Sequence, residues 1–130
     1  MYRRARSKYG ARKTVVDGIE FDSRKEAERY IVLRDMQKKG EIQGLELQKK
    51  FLLIPKQTEP DHYDFSKSEN GRKVKGKVIE REVSYYADFW YFDNLLKEWI
   101  CEDTKGMKTN EYIIKRKLLL WVHGIRIREL

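Results

Sequence analysis

Tyr85-Tyr86-Ala87-Asp88-Phe89-Trp90-Tyr91-Phe92-Asp93-Asn94-Leu95-Leu96-Lys97-Glu98-Trp99-Ile100-Cys101-Glu102-Asp103-Thr104-Lys105 holds two strand-forming runs around a polar break. The first run belongs to a longer stretch, Val78 to Phe92, rich in Val, Ile, Tyr and Phe, and the second runs from Lys97 to Thr104. Asp93-Asn94 supplies the turn, so the pair predicts an antiparallel hairpin. Side chains two apart on a strand share a face, which puts Asp103 and Lys105 on one side and Glu102 and Thr104 on the other. With the turn centred near Leu95, residues whose numbers sum to about 190 face each other. Asp88 then lies opposite Cys101 or Glu102, within about one residue of Asp103. Two carboxylates and an ammonium are expected to meet at one point on the sheet.

On the N-terminal side, Thr14 to Phe21 reads as two short strands around Asp17-Gly18, a pair that supplies the positive φ angles of a tight hairpin. Ser23-Arg24-Lys25-Glu26 has capping-box spacing, so a helix is expected from there to about Lys39, stopping at Gly40. Ala27, Tyr30, Ile31, Leu33 and Met36 form its apolar face. Leu45 to Ile54 alternates unevenly and reads as a strand ended by Pro55. Residues 56–77 are polar and read as a long loop or mobile hairpin. On the C-terminal side, Asn110 to His123 predicts a second helix closed by Gly124, and Ile125, Ile127 and Leu130 predict a final strand. The order is strand, helix, strands, helix, strand, a mixed α/β layer structure in one domain spanning 1–130.

The chain of 130 residues is 40% hydrophobic and carries 29 Lys and Arg against 21 Asp and Glu, a net charge of +8. That surplus points to a polyanionic partner, most simply nucleic acid, although ribosomal association or an acidic protein leaves the same mark. Cys101 is the single cysteine, so an intramolecular disulfide and a cysteine-built zinc site are both excluded, and a reducing cytoplasm fits. No apolar run reaches the roughly 18 residues of a membrane span, and no apolar core follows the basic segment 1–13 as a secretory signal requires. That segment reads either as an inert basic tail or as an arm lying along phosphates. No Gly-rich phosphate loop and no nucleophile elbow is present, which argues against P-loop nucleotide hydrolysis and esterase chemistry.

The carboxylate pair with its lysine has a defined chemical use. Phosphodiester hydrolysis needs phosphate charge neutralised, a water turned into hydroxide and a leaving oxygen stabilised. Asp88 and Asp103 suit Mg²⁺, a hard cation that prefers oxygen ligands, and Mn²⁺ is expected to substitute. Lys105 would touch both attacking water and phosphate. Without a metal the two acids repel. Candidate phosphate contacts are Lys108, Lys115 and Lys117 after the hairpin, Arg24 and Lys25 at the start of the first helix, and Arg3 and Arg4 in the basic segment.

Asp88 followed after a turn by Asp103-Thr104-Lys105 resembles the PD-(D/E)XK nuclease superfamily, with Ala87 in place of the proline and Asp103 in place of the more frequent glutamate. Phe21-Asp22-Ser23-Arg24-Lys25-Glu26 resembles the S-x-x-E segment of phage-type Holliday-junction resolvases and transposon-end nucleases. Most of the chain outside residues 56–77 is similar to small phage-encoded proteins proposed to be resolvase-like nucleases, on Phe21 to Tyr30, Tyr86 to Phe89, Glu102 to Gly106 and Tyr112 to Lys117. The resemblance implies a restriction-endonuclease-like mixed central sheet flanked by helices. It implies Glu26 as a third acid and metal ligand beside Asp88 and Asp103, with Glu28 on the far side of the helix. It also implies branched DNA as substrate, and paired cuts would then need a homodimer.

Each of these residues also has a plainer role open to it. Asp103 and Lys105 fit a surface ion pair, worth roughly 0–1 kcal/mol. Glu26 fits a capping-box partner of Ser23, and Lys115 and Lys117 fit a solvated helix face. His62 and His123 lack partner spacing, and the aromatics around Asp88 fit sheet core. The expectation is therefore a Mg²⁺-dependent endonuclease acting on DNA. The alternatives are a non-catalytic nucleic-acid-binding module, or a phage DNA-processing, restriction-like or transposase-subunit nuclease.

Overall fold

A computed structural model describes residues 13–130. Arg3, Arg4 and the rest of the basic N-terminal segment up to residue 12 lie outside the described residues. In chain order the elements are β1 (Thr14–Val16), β2 (Ile19–Phe21), α1 (Arg24–Lys38), β3 (Ile42–Ile54), β4 (Gln57–Thr58), β5 (His62–Asp64), β6 (Arg72–Val74), β7 (Val78–Glu80), β8 (Val83–Asp93), β9 (Glu98–Asp103), α2 (Asn110–His123) and β10 (Ile127–Glu129).

Four strands form the central sheet in the order β10-β9-β8-β3. β3, β8 and β9 run antiparallel in sequence, while β10 lies parallel to β9. A parallel neighbour needs a crossover connection, and α2 provides it. Adjacent residues of β9 face opposite sides: Ile100 packs with Ala27 and Leu33 of α1, Cys101 with Tyr112 and Leu119 of α2. Each helix therefore covers one face. The fold class expected from the sequence, a restriction-endonuclease-like mixed sheet flanked by helices, is the one found.

Local chemistry sets the element ends. Asp17 and Gly18 both take positive φ (52° and 76°), the turn that matches hairpin twist. Tyr30 and Arg34 of α1 both donate to Asp17 Oδ2, each at 3.0 Å, and tie that hairpin to the helix. Ser23 Oγ accepts from the Glu26 amide at 3.1 Å, capping α1. At the other end Gly40 (φ 77°) lets the Glu41 amide reach back to Met36 O at 2.9 Å. Thr109 caps α2 by accepting from the Tyr112 amide at 3.1 Å, and Gly124 (φ 69°) closes it.

Three expectations need correcting, and one open alternative is decided. β3 begins at Ile42 rather than Leu45, because Ile42 is buried under α1 while Gln43 and Gly44 hide the alternation. Of the two readings of residues 56–77, a long loop or a hairpin, the structure has the hairpin: β4 pairs with β7 and β5 with β6, giving a two-tier arm. The run Val78 to Phe92 is broken at Arg81-Glu82, so that β7 belongs to the arm and β8 to the sheet. The turn after β8 spans residues 94–97, with Asp93 Oδ1 accepting from the Leu95 and Leu96 amides at 2.9 and 3.0 Å, and Lys97 sits in it at φ 58°. Lys97 and Thr104 therefore lie outside β9.

Candidate functional site

Because the turn is four residues wide, Phe89 pairs with Glu102 and Asp93 with Glu98. That is one residue further along than a turn centred on Leu95 implies, and the ladder carries Asp88 to the level of Asp103. Thr104, which strict alternation would turn away, instead folds back past the end of β9. Its amide and its hydroxyl both donate to Asp88 Oδ2, each at 2.9 Å. Asp88 Oδ1 faces the other way and accepts from Gln48 Nε2 at 3.1 Å.

The same amide nitrogen donates to Glu26 Oε1 at 3.3 Å, so Gln48 bridges the first turn of α1 and the middle of β8. Gln48 sits at φ 50° inside β3, a left-handed conformation costly for a side chain with a Cβ and found where local structure over-determines it. Sequence reasoning missed Gln48. The one available signal was the interruption of β3 alternation by Gln48-Lys49-Lys50 between Leu47 and Phe51.

Asp103 is fully buried, and its Oδ2 accepts from Tyr85 Oη at 2.5 Å. Its Oδ1 is buried with no hydrogen-bond partner. The neighbouring Glu102, equally buried, has a different fate on the opposite face. Arg29 of α1 grips it with a two-pronged fork (Nη2 to Oε1 2.6 Å, Nε to Oε1 2.8 Å), and Tyr91 Oη donates to Oε2 at 3.0 Å. Sequence reasoning missed this brace as well, since its partners are 73 residues apart.

Burial chiefly, then the charge of Asp88, pushes the Asp103 carboxyl up to about 6, with Tyr85 and Lys105 pulling the other way. Burial again, with Asp88 and Asp22 behind it, pushes Glu26 up to about 7, against the Gln48 hydrogen bond. Tyr85 is raised by its burial and by its bond to Asp103. Burial pushes the Cys101 thiol up to about 12, leaving it protonated and inert.

Residues 6–123 match the family described as "Protein of unknown function (DUF1064)". The chain belongs to the DUF1064 family. No curated protein and no solved structure matches it.

In this DUF1064 chain, then, Gln48 links Glu26 to Asp88, Asp88 lies level with Asp103, and the charge of Lys105 acts on Asp103. Lys105 is exposed, with Nζ 5.8 Å from the centroid of the Tyr112 ring, and it lowers the Asp103 pKa through space. Among the described residues no three carboxylate, imidazole or thiol groups close on a single point, and the Gln48 amide stands between Glu26 and Asp88. The donor set is all oxygen, and one buried oxygen lacks a partner, so these residues fit a hard divalent cation.

The phosphate-contact candidates are dispersed. Lys108 pairs with Glu129 at 2.5 Å, Lys115 with Glu111 at 3.1 Å and Arg24 with Glu28 at 3.1 Å. Lys25 donates to the Leu130 carbonyl, and Lys117 is exposed on α2. His123 Nε2 donates to the Leu52 carbonyl oxygen at 2.6 Å, and His62 lies in the arm. No helix among the described residues is long and apolar enough to cross a membrane.

Proposed function

We propose that this protein is a Mg²⁺-dependent endonuclease that hydrolyses phosphodiester bonds in branched DNA, with Asp88 and Asp103 as metal ligands. The observation that carries the reading is the division of labour between carboxylate oxygens. Asp88 and Asp103 each spend Oδ2 on the protein, through Thr104 and Tyr85. Each turns Oδ1 elsewhere, one to a displaceable amide and one to no partner. Carboxylates serving stability alone would have both oxygens satisfied, as Glu102 does.

When bound, the cation would polarise a phosphoryl oxygen and lower the pKa of a coordinated water. Thr104 and Tyr85 hold the two acids at fixed orientations, so little reorganisation is needed on binding. Glu26, with its raised pKa, is a group able to accept a proton near neutral pH. Lys105, on a flexible stem at the mouth of the site, is free to turn from the Tyr112 ring toward a phosphate and orient a water beside it. The net charge of +8 draws the polyanion in. Two cuts on opposite strands call for two such sites, hence a homodimer.

The deciding test incubates purified protein with a four-way junction, a flap and a linear duplex, in Mg²⁺, Mn²⁺ or EDTA. Metal-dependent cleavage that Asp88→Asn abolishes, with DNA binding kept or tightened, is the expected result. Binding without cleavage of any of the three in either metal leaves a non-catalytic nucleic-acid module instead.

A further inference from the structure

The hairpin arm leaves the sheet between the end of β3 at Ile54 and the start of β8 at Val83. It lies outside everything that builds the carboxylate site. A two-stranded ribbon without a core is marginal in water, yet this one is pinned at both ends. At its base the Glu59 amide donates to Lys77 O and the Gly76 amide to Asp61 Oδ1, both at 2.8 Å. A Cβ on Gly76 would lie 1.6 Å from Glu59 O, so the backbones there pass too closely for any side chain. At its tip Asp64 Oδ1 accepts from the Ser66 amide at 2.9 Å, and the Phe65 ring covers Gly71.

That pinning serves an unusual surface. Tyr63 and Phe65 are 59% and 63% exposed, with ring centroids 6.2 Å apart. Tyr63 pairs with Lys73, and cross-strand partners share a face, so the lysine rises beside the tyrosine. Lys75 and Lys77 follow, both exposed, and among the described residues none of these three lysines forms an ion pair. Asp61 is already engaged by the Gly76 amide and Asp64 by the Ser66 amide. Exposed rings interleaved with uncompensated ammonium groups match unstacked bases flanked by phosphates.

We propose that the Tyr63, Phe65 and Lys73 face of the arm binds DNA with unpaired bases, the rings stacking on bases and the lysines holding the backbone. This deepens the proposed function and rests on its nucleic-acid partner, not on its cleavage chemistry. The arm departs from the start of β8 at Val83, five residues before Asp88, so the same sheet carries the arm and the carboxylates.

The test measures fluorescence anisotropy of the full chain in EDTA with a labelled single strand, a blunt duplex and a four-way junction. Tyr63→Ala with Phe65→Ala should weaken single-strand binding about tenfold or more and leave duplex affinity within about twofold. Lys73→Ser with Lys75→Ser should lower the salt slope on the single strand by about 0.7 per lysine. Both variants change exposed side chains, and an unchanged thermal midpoint verifies their fold. Single-strand affinity indifferent to the ring variants overturns the proposal, as does equal loss on duplex and single strand. A change in sedimenting mass at unchanged affinity per protomer assigns the face to a second copy and overturns it too. Wild-type binding in EDTA with no cleavage once Mg²⁺ or Mn²⁺ is restored would sink the nuclease reading and leave this one standing; no binding to any DNA would sink both.

Discussion

Replacing Arg29 with alanine should destabilise the protein by about 3 kcal/mol. Glu102 is 0% exposed, and its charge is matched by a guanidinium whose side chain is 26% exposed. Removing one partner of a buried pair leaves an uncompensated charge, a loss of roughly 3–5 kcal/mol. The lower end applies here, because the Tyr91 hydroxyl stays on Oε2 at 3.0 Å and water can enter where Arg29 was partly wet. Urea unfolding monitored by tryptophan fluorescence reads the difference directly, and the thermal midpoint should fall by roughly 10 °C or more. Arg29→Met combined with Glu102→Leu removes both charges and should return to within about 1 kcal/mol of wild type. A loss below about 1 kcal/mol for Arg29→Ala, or a double variant no better than the single one, refutes the brace. The consequence is not confined to stability. Arg29 lies one helical turn after Glu26, and Glu102 immediately precedes Asp103, so the fork sets the separation between the third acid and the strand end.

In EDTA the protein should lose stability as pH rises from about 4.5 to 7, because Glu26 and Asp103, raised to about 7 and about 6, hold protons in the folded state that the unfolded chain releases. The loss from Glu26 is on the order of 3 kcal/mol; urea melts at pH 5 and pH 8 check it, and Glu26→Gln should flatten the slope. Gln48→Glu should lower stability in EDTA and enlarge the thermal stabilisation given by millimolar Mg²⁺, since it replaces the bridging donor with another acid; an Mg²⁺ effect equal to wild type would remove the amide from the site.

What the sequence made legible is what short-range chemistry decides. Asp17-Gly18, Ser23, Gly40 and Gly124 mark element ends because each satisfies a local demand on φ or on an unpaired amide. The hairpin carrying Asp88 and Asp103 was legible for the same reason, to within one residue, and that residue was lost because Asp93 closes a wider turn than Asp93-Asn94 suggests. The arm was legible only as a loop or a hairpin, without its strand pairing, because exposed ribbons have no buried face to impose alternation. Gln48 and Arg29 were invisible for a different reason: each acts on a partner in another element, 22 or more residues away, and nothing local announces the pairing.

Glu102 and Asp103 make a natural experiment within one strand. Both are acidic, adjacent and fully buried, so they carry the same desolvation penalty, and their different surroundings cannot be traced to burial. One face of β9 supplies a guanidinium fork and a phenol, and every lone pair of Glu102 that faces protein is used. The other supplies a single phenol, a second carboxylate and an oxygen left without a donor. A fold under selection for stability alone gains by repeating the Glu102 solution at Asp103, or by putting an apolar side chain there. Keeping an unmatched acid against Asp88, with Glu26 one amide away, is sensible where the missing positive charge arrives from solution.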